Sequence, residues 1–184
     1  NTTTTTNWAS STGGTGGAGV PTSADNVVID TSSGTGIITH TGAVCNNLTV
    51  TASQNITLGN SSSTTVTIYG SMSFPAGGSF AIYSASSGLR FFSTTTGQTI
   101  TTNGKILPNV TFNGAGGGWT LQDSFNLAFN TITLTNGSLN TNNQSVSTGF
   151  FVYSATGTAS LTLGTSTVSL TGLAIVWSFG TTTG

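Results

Sequence analysis

One short pattern recurs along the chain: a small polar residue, an aliphatic one, Thr or Ser, then a second apolar residue. It reads Asn47-Leu48-Thr49-Val50, Asn55-Ile56-Thr57-Leu58, Thr65-Val66-Thr67-Ile68 and Asn109-Val110-Thr111-Phe112. Further copies are Thr131-Ile132-Thr133-Leu134, Ser160-Leu161-Thr162-Leu163 and Thr167-Val168-Ser169-Leu170. Alternation with a period of two places the apolar pair on one side of a strand and the hydroxyls on the other. Val66, Ile68, Ile132, Leu134, Leu161 and Leu163 are therefore expected to face a common core. Two longer pieces, residues 56–70 and 161–172, match over more than one strand, which marks internal repetition. No window shows apolar residues at helical spacing, so the class is all-β.

Strands this short cannot bury an apolar face alone, but stacked coils bury it as a continuous core. The expected architecture is a parallel β-helix, or β-solenoid, with about 20–25 residues per coil. The competing architecture is an antiparallel β-sandwich. Asn103-Gly104, Asn113-Gly114 and Asn136-Gly137 are all strong hairpin signals. Repetition favours the solenoid, with residues 1–19 as a Thr/Gly-rich N-terminal arm or linker and residues 20–184 as one solenoid domain.

Composition sharpens this picture. The chain has 40 threonines among 184 residues, and only 3% of residues are charged. Threonine suits a half-buried pleated surface, and a surface this poor in charge does little to keep copies apart. Arg90 and Lys105 are the only Lys or Arg, too few to bind nucleic acid by releasing counterions. The longest apolar run, Leu173 to Trp177, is too short for membrane insertion. A single cysteine, Cys45, excludes an internal disulfide and reads as a small buried hydrophobe.

The stretch from Trp8 through GGAGVPTSADNVVID (16–30) to Cys45-Asn46-Asn47-Leu48-Thr49-Val50 reads as a cap leading into the coils. It resembles a lead-in motif of Thr/Ser/Asn/Gly-rich β-helix proteins of bacterial surfaces and phage appendages. That resemblance implies an extracellular, cell-surface or virion-surface location and a structural or adhesive role. Proteins of this texture also include polysaccharide-cleaving enzymes. The Thr tract before Trp8 departs from the group, where an ordered strand is expected.

Candidate chemistry is sparse. Glycoside hydrolysis needs two carboxylates flanking the bond, and the chain has Asp25, Asp30 and Asp123. Asp25 reads as a turn cap and Asp123 as a loop carboxylate pairing with Arg90 or Lys105. The sole histidine, His40, lies among threonines without a nucleophile elbow. No zinc or calcium pattern occurs. The reading is therefore no catalytic residue, no cofactor and no metal.

The leading expectation is a non-enzymatic extracellular structural protein, a subunit of a self-associating fibre, sheath or phage appendage. The proposed intersubunit contacts are Thr2, Thr3, Thr4, Thr5, Thr6 and Trp8 of one copy against Ala174, Ile175, Val176, Trp177 and Phe179 of the next. The alternative is a carbohydrate- or surface-binding adhesin module, with Trp119 and Tyr153 as contacts to surface glycans if they are exposed. An ice-binding β-solenoid ranks last, because the Thr-x-Thr pairs fall at irregular intervals.

Overall fold

The computed structural model describes residues 7–34, 36–38, 42–51, 56–58, 65–77, 80–82, 88–154, 157–173 and 177–179. Thr2 to Thr6, His40, Ala174, Ile175 and Val176 lie outside the described residues.

The chain forms a parallel β-solenoid. Each coil crosses three faces in the same order. The first face stacks Val27–Ile29, Leu48–Val50, Met72–Ser73, Gln98–Thr101, residues 118–121, residues 137–140 and Ala159–Thr162. The third face stacks Ala43–Cys45, Thr65–Ile68, Gly88–Phe91, residues 109–112, residues 131–134, Phe150–Tyr153 and Trp177–Phe179. Both ladders are thus seven segments deep among the described residues. The second face lies between them in two blocks. One holds Gly36–Ile38, Ile56–Leu58 and Phe80–Ile82; the other holds Phe125–Asn126, Val146–Thr148 and Val168–Leu170.

Register carries the core. Ala43, Val66, Leu89, Val110, Ile132, Phe151 and Trp177 form one column, with successive members 19 to 26 residues apart. A second column runs Cys45, Ile68, Phe91, Phe112, Leu134 and Tyr153. Val66, Ile68, Ile132 and Leu134 are buried as expected, whereas Leu161 and Leu163 in the last coil are only half-buried. Aromatic rings fill the middle. Phe112 stacks on Phe91 at 5.1 Å and tilts against Trp119 at 5.2 Å.

The hairpin signals take a different role: every strand pair among the described residues is parallel. Asn136-Gly137 lies inside the continuous strand Thr131–Asn140, where Gly137 (φ +88°) carries the chain from the third face to the first. Asn113-Gly114 lies at the equivalent corner of Asn109–Leu121, and Asn136 Nδ2 donates to Asn113 Oδ1 at 2.6 Å. Asn103 and Gly104, with φ of +49° and +77°, turn the chain out of the first face. A left-handed dipeptide closes a hairpin only when the two strands it joins pair with each other. Here they pair with the coils before and after.

Polar residues stack outside in the same register. Asn26, Asn47, Ser71, Thr99, Thr120, Asn140 and Thr162 form one outward column of the first face. Asn26 Oδ1 accepts from Asn47 Nδ2 at 2.8 Å, and Asn47 Oδ1 accepts from the Ser71 amide at 2.7 Å. Coil-to-coil bonds of this kind satisfy corner amides that a short strand leaves over. The column on the third face reads Val44, Thr67, Arg90, Thr111, Thr133, Val152 and Ser178, so its threonines are interrupted.

Candidate assembly surface

The two ends of the stack differ. At the N-terminal end, residues 7–26 fold back over the first coil as a cap. Trp8 packs against the core, and its carbonyl accepts from the Gly17 and Ala18 amides, both at 2.9 Å. The Asp25 carboxylate accepts from the Thr22 amide at 2.9 Å and the Thr22 hydroxyl at 2.7 Å, as a turn-capping residue should. The Asp25 carbonyl accepts from the Asn46 amide at 2.7 Å, tying the cap to the next coil. Asp30 caps a single 3-10 turn, Thr31–Ser33. Under this cover the first-coil residues Val27, Ile29 and Cys45 are 8%, 5% and 3% exposed. Trp8 is thus engaged within its own chain.

A half-open cleft of about 1060 Å³ lies between the cap and the first coils, with Trp8, Ile29, Ala43, Cys45 and Val66 among its lining residues. The carboxylates on its wall are both held by hydroxyl and backbone donors, Asp25 by Thr22 of the cap and Asp30 by Ser32 and Ser33 of the turn that follows it.

At the C-terminal end the core columns run out. Leu139, Val146 and Phe151 are 2%, 3% and 3% exposed in the sixth coil. Their register partners one coil on, Leu161, Val168 and Trp177, are all half-buried, as is Leu170. Leu173 is fully exposed. Trp177 stacks on Phe151 at 4.9 Å, so one of its faces is used by the coil below. The last coil is otherwise well tied down. Buried Thr141 lies within hydrogen-bond distance of the Leu163 carbonyl (2.9 Å) and the Ser166 hydroxyl (2.6 Å). The Thr171 amide donates to the Thr148 carbonyl at 2.9 Å. The half-burial therefore sits on an ordered coil that has nothing stacked above it among the described residues. Phe179 ends the strand Trp177–Phe179, paired with Tyr153.

The proposed sugar contacts do not form a site. Trp119 is 1% exposed and packs against Phe91 and Phe112, so its faces are closed to a ligand. Its position in phase with Leu121, two residues on, was the signal for an inward side chain. Tyr153 is half-buried, and its hydroxyl donates to the Ala159 carbonyl at 2.9 Å.

Asp123 is also structural. It accepts from the Thr102 amide at 2.9 Å, from the Thr102 hydroxyl at 3.2 Å and from the Asn103 amide, fixing the Asn103-Gly104 corner. Lys105 Nζ donates to the Gly77 carbonyl at 3.2 Å. Among the described residues no three of His, Cys, Asp and Glu lie together. No helix among the described residues is long and apolar enough to cross a membrane.

Titration follows from these contacts. Hydrogen bonds from Thr22 hold the Asp25 carboxyl below its ordinary 3.8, and the Thr12 hydroxyl is the main cause of the same direction at Asp30. Burial pushes the Cys45 thiol from 9.0 up to about 12. Depressed carboxylates stabilise the fold above 3.8, and that contribution is lost as pH falls through their lowered folded values. A raised thiol contributes fully below 9.0, and its contribution is lost as pH rises towards about 12. Melting temperature should therefore be flat between about pH 5 and pH 8, with declines outside that range. A melting curve that shifts near neutrality would contradict this.

No family model, curated protein or solved structure matches the chain.

Proposed function

We propose that this chain is a non-enzymatic structural β-solenoid of an extracellular, cell-surface or virion-surface assembly, and that it works by joining other copies of itself through its last coil. One observation carries the reading. Three apolar columns that are buried in the fifth and sixth coils, at Trp119 and Leu139, Phe125 and Val146, and Ile132 and Phe151, reach the last coil only half-covered at Leu161, Val168 and Trp177, and the first two lie on strands with open edges. Ala159–Thr162 and Val168–Leu170 each pair on one side only among the described residues. Open strand edges with uncovered apolar side chains are sites of further pairing unless charge or a cap blocks them. Among the described residues no cap does so here, and with 3% charged residues the surface supplies almost no repulsion. The cap resemblance to surface and appendage proteins supports the location.

The test is solution mass by light scattering for the whole chain and for Leu161→Asp. The chain should show an associated mass that Leu161→Asp reduces to that of a single chain, with the β-rich circular dichroism spectrum unchanged. Equal masses for both would count against the last coil as the joint.

A further inference from the structure

We infer that two copies join isologously, last coil against last coil across a two-fold axis, giving a closed dimer with both N-terminal caps outermost. This inference rests on the proposed self-association and specifies its geometry. A head-to-tail joint needs two different, complementary ends. The N-terminal end is already occupied, with Val27, Ile29 and Cys45 buried beneath the chain's own cap and Trp8 packed on the core. The counterpart that also presents uncovered apolar columns is the same coil of a second copy.

Charge permits this arrangement. A two-fold axis brings each residue near its own kind, so any ionised group close to the axis meets a like charge. From Ser124 to Gly184 the sequence contains no Asp, Glu, Lys, Arg or His. That stretch forms the last three rungs of the third face and all of the last coil. Every ionisable side chain of these types sits in the other two thirds of the sequence. Self-superposition therefore costs no like-charge repulsion, whatever the position of the axis.

Backbone geometry fits as well. Within the chain all pairing is parallel, but a two-fold axis perpendicular to the stack reverses strand direction. The edges of Ala159–Thr162 and Val168–Leu170 would then meet antiparallel partners, whose hydrogen bonds run perpendicular to the strands and pair slightly better than parallel ones. Leu161, Val168 and Leu170 of one copy would cover those of the other. Such a contact closes on itself, whereas head-to-tail contacts continue into filaments.

The experiment is cross-linking with a short bismaleimide on the full chain carrying Leu173→Cys, with Ser169→Cys as a second position on the same coil. Leu173 is fully exposed and Ser169 is exposed, so neither change disturbs the core. Cys45 is buried and does not compete. Chains carrying Ser10→Cys report on the cap. The inference expects covalent dimers from Leu173→Cys or Ser169→Cys alone, and none between either of these and Ser10→Cys. Cross-links that form only in the mixture with Ser10→Cys would establish a head-to-tail joint, overturning the two-fold geometry while leaving self-association through the last coil. An associated mass without either cross-link would place the joint on a lateral face, overturning both. A single-chain mass would overturn the self-association itself.

Discussion

Replacing Phe112 with alanine is expected to destabilise the protein by about 3–5 kcal/mol, the range for a large aromatic lost from a close-packed core. Phe112 is fully buried at the centre of the stack. Its ring lies 5.1 Å from Phe91, 5.2 Å from Trp119 and 6.5 Å from Phe125, so the truncation empties a space that three other rings cannot collapse to fill. Thr111, its neighbour in the same strand, faces outward and is only half-buried. Thr111→Ala should stay within about 0.5 kcal/mol. Equilibrium denaturation of the two variants provides the comparison. Similar losses in both would mean that the inward and outward columns of the third face are misassigned.

The second large effect is expected at the corner between the third and first faces. A methyl group added to Gly114 would overlap the Ser93 carbonyl of the coil below, and one on Gly117 would meet the same oxygen. Both obstacles are backbone, so neither moves without shifting a coil. Gly114→Ala and Gly117→Ala should each cost about 2–4 kcal/mol, at and above the usual range for overpacking. Gly19, in the cap, has nothing within 4 Å of an added methyl and no positive φ. Gly19→Ala should be neutral or stabilise by about 0.4–1 kcal/mol, through the lower entropy of the unfolded chain. If Gly114→Ala melted like the parent protein, the close stacking of these coils would be wrong.

How much of this was legible beforehand depends on what each signal encodes. The two-residue alternation encodes facing, and it placed Val66, Ile68, Ile132 and Leu134 in the core. It also encodes the burial of Trp119, which stands in phase with Leu121. Asp25 as a turn cap and Cys45 as a buried thiol were readable because both are local in origin. The Gly116-Gly117-Gly118 run lies closely on the coil below, where a side chain at Gly117 would meet the Ser93 carbonyl.

What was not legible is which face a strand occupies, because all three use the same polar–aliphatic–hydroxyl–apolar pattern. The matching pieces 56–70 and 161–172 show this. Ile56–Leu58 lies on the second face, whereas Ala159–Thr162 lies on the first. Likewise Thr65–Ile68 lies on the third face and Val168–Leu170 on the second. Their similarity reflects a shared strand grammar, offset by one face. The Asn-Gly dipeptides were ambiguous for a related reason. The same dipeptide can close a hairpin or bend a continuous strand round a corner, as at Asn136-Gly137, and long-range pairing alone decides between them. The half-covered last coil was hidden too, since Leu161 and Leu163 carry the same pattern as Ile132 and Leu134. Their exposure depends on what stacks above them, which is not a property of the local sequence.

The central claim is that copies of the chain join one another and that the joint closes at two. Static light scattering of the purified full chain over a wide concentration range tests it most directly. The account predicts a mass that rises from one chain to two and then stays at two as concentration increases. A mass of one chain at every concentration would contradict it.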